Sequence, residues 1–214
     1  MKIDFKKTFP TYRARKGRFD VVTVPRLQYL MIDGHGDPNT SVAYAEALAT
    51  LYPVAYKFKF FSKNALDRDY VVPPLEALWW ADDMEAFTTG RDKSRWDWTA
   101  MLMVPDWLDD DHLRDAIDQL RAKGGAPALD SLRLEGLDEG LAAQTLHVGS
   151  YDDEAPVLAE MHDAFIPTNG YVMTGKHHEI YLSDPRRTTP DKLRTILRQP
   201  VEPTSAAHPA SGSN

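Results

Sequence analysis

Residues Lys176–Leu197 read KHHEIYLSDPRRTTPDKLRTIL. One carboxylate, Glu179, stands in a short strand among aromatic and apolar residues. The stretch has an earlier counterpart. At an offset of 80, Leu182, Pro185, Leu193, Arg194 and Leu197 answer to Leu102, Pro105, Leu113, Arg114 and Ile117. Both copies read as strand, proline turn, amphipathic helix. At an offset of 116, Gln28, Leu30 and Ile32 answer to Gln144, Leu146 and Val148. The offsets differ by 36, so the first half carries an insertion. An internal duplication of this kind organises the whole chain.

Outward from these anchors, Arg26–Asp33 alternates as a strand, and Gly34–Asn39 is loop chemistry. Asn39 or Thr40 caps a helix bearing Val42, Ala45, Leu48, Ala49 and Tyr52 on one face, which Pro53 kinks or restarts. Val71–Trp80 and Trp96–Val104 read as strands, with a polar loop over Ala81–Lys93. Asp109–Lys123 is a helix, acidic in its first turn and basic in its last, as the macrodipole favours. In the second half Leu141–Gly149 is a strand and Asp152–Phe165 a helix. Tyr171–Thr174 and His177–Ser183 are strands, and Pro190–Arg198 is a closing helix. Each half is β-α-β-β.

The fold class is therefore α+β: duplicated β-α-β-β modules forming one antiparallel sheet, with helices on one face and a ligand cleft on the other. A basic arm over residues 1–18 precedes a domain over 19–201. Its pseudo-twofold halves are about 19–123 and 132–201. Residues 202–214, poor in large apolar side chains, read as a disordered tail. Strict alternation along strands sorts the faces. Ile180, Leu182, Ala100, Leu102, Leu30, Ile32, Leu146 and Val148 suit the helix side. His177, Glu179, Tyr181, Thr99, Met101, Tyr29, Met31, Thr145 and His147 face the groove. In Leu75–Trp80, Glu76 and Trp80 point outward to the groove, with Trp79 as the alternate. Trp96 and Trp98 fall on the helix side.

Composition narrows the function. With no cysteine among 214 residues, disulfides, thiolate metal sites and a Cys nucleophile are excluded, and a reducing cytoplasm is the expected location. No apolar run approaches the ~20 residues that span a bilayer. The N-terminus lacks the apolar core of a signal peptide. A net charge of −7 argues against nucleic acid as a partner, despite the basic start. His177-His178-Glu179 lacks metal-ligand spacing, since neighbours on a strand point to opposite faces. Gly34-His35-Gly36 is no dinucleotide fingerprint, and there is no GxSxG elbow or phosphate loop. No cofactor or metal is expected.

The runs LYPVAYKFKFF, VVPPLEALWW, WDWTAMLMVPDWL and GKHHEIYLSDPRRTTPDKLRTIL resemble the free-standing branch of the GyrI-like small-molecule-binding domains, over roughly Arg18–Val201. The resemblance implies two β-α-β-β modules around a central cleft. It implies that Glu179 is the cleft glutamate that meets cationic aromatic drugs in ligand-sensing relatives. Some free-standing members hydrolyse cyclopropane-bearing DNA-alkylating natural products with such a glutamate.

The resemblance gives the carboxylate two roles that its surroundings allow. A carboxylate among aromatics attracts a cation, or takes a proton from water attacking a strained ring. Glu179 and Tyr181 are the candidate catalytic pair. Trp80, Trp79, Glu76, Tyr29, Met31, Met101, Thr99, His147 and His177 are candidate ligand contacts. The expected partner is a hydrophobic, cationic or electrophilic small molecule. A hydrolase of cyclopropanoid toxins, a non-catalytic drug sink and a topoisomerase-inhibiting module all remain open.

Overall fold

The computed structural model describes residues 2–81 and 92–204. Most of the expected loop Ala81–Lys93, and the tail beyond Thr204, lie outside the described residues. Nine strands build one antiparallel sheet: β1 (Asp20–Val24), β2 (Leu27–His35), β3 (Leu75–Trp80), β4 (Asp97–Val104), β5 (Arg133–Leu137), β6 (Gly140–Val148), β7 (Tyr171–Met173), β8 (His177–Tyr181) and β9 (Arg194–Pro203). Their order is β1-β6-β9-β8-β3-β4-β2-β5, with β7 added beside the end of β9. The class is α+β, as the sequence leads one to expect.

The order is symmetric about the β8–β3 pair. Each half contributes strand, helix, strand, strand: β2, α2, β3, β4 and β6, α4, β8, β9. Here α2 is Val42–Ala65 and α4 is Ala155–Ala159. The two leading strands are exchanged: β1 pairs with β6 of the second half, and β5 pairs with β2 of the first. The duplication is therefore real, but its register differs from the expected one. β8 answers to β3, and β9 to β4. The expected closing helix Pro190–Arg198 is a single 3₁₀ turn, Pro190–Lys192, followed by β9. The four-residue spacing of Leu193 and Leu197 imitates a helix, but Thr195 and Ile196 are β-branched and strand-prone.

Cross-strand partners share a face. Ile32, Ala100, Ala77, Glu179 and Leu197 form one such row across the sheet centre. Met31, Met101, Glu76, Ile180 and Ile196 form the neighbouring row on the other face. Both helices lie over the first face. α2 begins at Ser41, whose hydroxyl accepts from the Tyr44 N–H, and continues through Pro53 for 24 residues. It buries Leu51, Val54, Ala55 and Phe58 with Leu30, Ile32 and Trp98 in one core. Gly34 makes this possible, because a Cβ there would meet the Trp98 ring at 2.2 Å. α3 (Asp110–Arg121), capped by Asp109, packs Leu113 and Ala116 into the same core. α4 runs into a π-helical turn, Glu160–Phe165, then α5 (Ile166–Thr168), and seats Met161 and Ile166 beside Ala143 and Leu197.

The short helix α1 (Phe5–Thr8) packs Phe5 against Tyr70 and Trp107, and the following part of the N-terminal arm covers part of the opposite face. Tyr12 and Phe9 pack with Leu146, Ile180 and Ile196. Beneath the arm lies a buried polar network. Glu76 accepts from Tyr12 (2.5 Å) and Tyr29 (3.4 Å), and pairs with His178 Nε2 at 2.9 Å. His178 Nδ1 meets Glu139 at 2.9 Å, and Arg198 donates to Glu139 at 2.8 Å. Arg198 also donates to Gln144 and to the Thr11 carbonyl.

Candidate functional site

The helix-bearing face carries a cavity of about 1140 Å³ between α2 and α4, with β3 and β8 as its floor. It opens between the helices, not on the face they leave free. α2 contributes a second stripe besides its core stripe. Tyr44, Leu48, Tyr52 and Tyr56, four residues apart, all line the cavity and share one side of the helix. Across from them stand Tyr151, Glu154, Leu158 and His162. Trp79, Glu179 and Tyr181 rise from the floor, and Trp96 borders them.

Tyr181 organises the centre. Its hydroxyl donates to Glu179 Oε2 at 2.7 Å and accepts from Trp79 Nε1 at 3.1 Å. An indole nitrogen only donates, so the phenol proton is committed to the carboxylate. Glu179 is 8% exposed. Burial first, then the Glu179 charge, pushes the Tyr181 phenol well above its ordinary range, so it stays a donor. The Tyr44 phenol is raised for the same two reasons. Tyr151 is pushed up to about 12 by burial, then by Glu154 and Glu179. Aromatic packing closes the walls: Tyr44 meets Trp98 edge-on at 4.9 Å, Tyr151 meets Tyr181 at 5.5 Å, and Trp79 meets Trp96 at 5.7 Å.

Charges at the rim are arranged differently. Lys93 is engaged by Asp152 at 2.7 Å and Arg186 by Asp184 at 3.0 Å. The inner wall thus presents carboxylates within a largely aromatic surround. That arrangement attracts a cation or a polarised electrophile. Among the described residues no cluster of three His, Asp or Glu side chains is placed to hold a metal.

The structure brings some of the expected site residues together and separates others. Glu179, Tyr181 and Trp79 share the cavity. His177 lies on the same face, but its side chain is 1% exposed and stands behind Glu179, at 3.6 Å from Oε1. His147 is also on this face, but it is at the far side of the second half and bonds the Ser150 carbonyl at 2.9 Å. Glu76, Tyr29, Met31, Met101, Thr99 and Trp80 are on the opposite face. Glu76 and Tyr29 belong to the buried network, Thr99 donates to Asp33 at 2.6 Å, and Trp80 lies under the Lys176 ammonium. Ile180 packs under the arm, and Leu146 with it. Met31 and Met101 are fully covered. The two tryptophans are therefore the reverse of the favoured assignment.

Sequence reasoning missed Tyr44, Tyr151, Glu154 and His162. The four-residue spacing of Tyr44, Leu48, Tyr52 and Tyr56 was a visible signal: a helix with two apolar stripes has two things to cover. Glu154 and His162 carried no comparable pattern. Burial, then the neighbouring His177, lowers the His162 imidazole to about 3, so it is neutral at ordinary pH.

A sheet of two β-α-β-β halves, with a carboxylate at the base of an aromatic cavity on its pseudo-twofold, defines a class of ligand-binding domain. The chain belongs to the GyrI-like small molecule binding domain family, whose model matches residues 18–202. It is similar to an uncharacterized conserved protein from Listeria innocua at 38% identity and a TM-score of 0.84. That match covers 94% of this chain and 100% of the other. It is equally similar to a hydrolase encoded by lin2189 from Listeria innocua, at 38% identity, a TM-score of 0.82 and the same coverage. The C-terminal domain of EcmrR shares the fold alone, at 11% identity and a TM-score of 0.54, over 87% of this chain and 98% of that one. Curated proteins offer no match. Among the described residues no helix is long and apolar enough to cross a membrane.

Proposed function

We propose that the chain is a hydrolase that adds water to strained-ring, cyclopropane-bearing small molecules in the central cavity, protecting the cell from them. One observation carries this reading. Glu179 is gripped at one oxygen by Tyr181 and otherwise faces an aromatic cavity large enough for a polycyclic ligand. Aromatic walls hold a flat electrophile by stacking. Glu179 Oε1 takes a proton from a water whose oxygen attacks the ring carbon. The carbon–carbon bond breaks, and its electron pair moves into the conjugated carbonyl. The proton is then returned to that oxygen, so the net change is addition of one water. Tyr181 keeps Oε2 occupied and the carboxylate oriented. Similarity at 38% identity to a Listeria innocua hydrolase supports a catalytic reading.

The second reading is a sink that binds lipophilic cations without turnover, which the carboxylate-and-aromatic lining equally favours. Incubation with a panel of cyclopropane-bearing alkylators, followed by mass spectrometry, separates the two. Conversion to products one water heavier, by wild type and not by Glu179→Gln, is the expected result. Stoichiometric binding without a mass change would leave only the sink.

A further inference from the structure

Glu179 is held unequally at its two oxygens. Oε2 receives the Tyr181 hydroxyl at 2.7 Å. Oε1 faces His177 Nε2 at 3.6 Å. The two residues lie two apart on β8, so their side chains share a face. His177 is nearly inaccessible and is absent from the cavity lining, so a ligand meets it only through Glu179. Behind it, His162 packs edge-on at 5.9 Å between ring centroids. His162 sits on the π-helical turn Glu160–Phe165, and such turns recur at functional sites. Its Nε2 is enclosed without a hydrogen-bond partner among the described residues, an arrangement that a purely structural wall would avoid.

We propose that His177, backed by His162, is a positioning residue for Glu179. It offers an imidazole N–H to Oε1 and keeps that oxygen aimed into the cavity. This inference rests on the reading of Glu179 as the group that meets the ligand. Other titratable groups around the pair are Tyr181 on β8, Tyr44 on α2, Tyr151 and Glu154 on the turn before α4, and His162 on the π turn. The phenols stay neutral, and so does His162 above about pH 3.

The test measures dissociation constants of tetraphenylphosphonium, a lipophilic cation, and of neutral Nile red. Wild type, His177→Leu, His177→Gln, Glu179→Gln and the His177→Leu/Glu179→Gln double variant are compared. His177→Leu is expected to weaken the cation by roughly 5- to 10-fold, the effect of a charge-assisted contact, and to spare Nile red. His177→Gln, whose amide reaches the Nε2 position, should restore the cation affinity. In the Glu179→Gln background His177→Leu should add nothing. Should His177→Leu fail to fold, His177→Asn, whose shorter amide is withdrawn from Oε1, takes its place with the same expectations. Equal losses for cation and neutral dye, no rescue by His177→Gln, or full additivity with Glu179→Gln would overturn the positioning role. A Glu179→Gln protein with wild-type cation affinity would instead overturn the reading of the site on which it rests.

Discussion

The sheet buries carboxylates on both faces, and the two faces treat them differently. Under the arm, Glu76 and Glu139 are matched by His178 and Arg198, and Tyr12, Tyr29, Gln144 and the Thr11 carbonyl complete the network. Burial works against the His178 charge, but Glu139 outweighs it and holds the imidazole above its ordinary range. Burial likewise opposes ionisation of Glu139, and His178 and Arg198 reverse that and hold it down at about 2. Under the helices, Glu179 and Glu154 border a cavity. Glu179 is held by the Tyr181 phenol, with the His177 ring 3.6 Å from its other oxygen and the cavity in front of it. A buried charge with its counter-charges in place fixes structure. A buried charge facing a cavity is available to a ligand. Adjacent residues on β8, His178 and Glu179, belong one to each regime.

The largest expected effect tests the open face. Glu179→Gln keeps the shape and removes the basicity, so hydration of a cyclopropane-bearing substrate should fall by roughly 10²–10⁴-fold, the usual contribution of a general base. Its melting temperature should hardly move. A variant that hydrates at the wild-type rate would leave Glu179 a bystander and would erase the contrast between the faces.

The closed face should respond in the opposite way. Arg198→Met leaves Glu139 with His178 alone, and breaking a buried pair costs about 3–5 kcal/mol; chemical denaturation should show that loss. Replacing Arg198, Glu139, His178 and Glu76 together by apolar residues should cost far less than the single change. If Arg198→Met is as stable as wild type, the network is not what holds the arm and sheet together.

The same network sets a pH window. The folded pKa of Glu139 is depressed, so its contribution is present above its ordinary value of 4.5 and is lost as pH falls toward about 2. That of His178 is raised, so its contribution is complete below its ordinary value of 6.5 and is lost as pH rises through the folded value. Stability should therefore be greatest between about pH 4.5 and 6.5, declining on both sides. In Glu139→Gln the acid limb should flatten, as equilibrium unfolding at a series of pH values would show.

Much of this contrast was legible in the sequence, but its sidedness was not. The β-α-β-β order of the first half shows in periodicity and punctuation, whereas the last strand of the second half reads as a helix; Glu179 and Tyr181 stand out because they interrupt an apolar strand at alternate positions. Which face they share with which partners needs the register. Both faces of β2 are buried, Tyr29 and Met31 as fully as Leu30 and Ile32, so alternation marks two faces without saying which carries the helices. The repeat matches then misled. Leu30 pairs with Leu102 on the helix side, whereas Leu146 pairs with Ile196 under the arm. Aligning Leu30 with Leu146 joined opposite faces, because a shift of one residue inverts a strand. Glu139 and Arg198 meet only through the sheet, and Arg198 lay in an apparent helix. The two polar groups that matter most to the closed face had no local signature.

The smallest expected effect separates two neighbours in the chain. Trp79 and Trp80 lie on opposite faces of β3. Trp79 donates to Tyr181 and packs against Trp96 at the cavity. Trp80 is stacked under the Lys176 ammonium, away from the cavity. Trp79→Phe keeps a ring on the cavity floor but removes the indole donor, so Tyr181 still reaches Glu179 with one neighbour fewer to fix its hydroxyl. The loss in affinity for an aromatic cation should be modest, about 0.5–1.5 kcal/mol, the scale of an aromatic contact. The fluorescence response should be the sharper readout. Ligand-induced quenching should shrink in Trp79→Phe, with Trp96 supplying what remains, and should persist undiminished in Trp80→Phe. The reverse pattern, with quenching lost in Trp80→Phe and retained in Trp79→Phe, would mean that the ligand sits on the face under the arm. The surface around Trp80 and Lys176 would then be its binding site, and the division of labour between the two faces would have to be inverted.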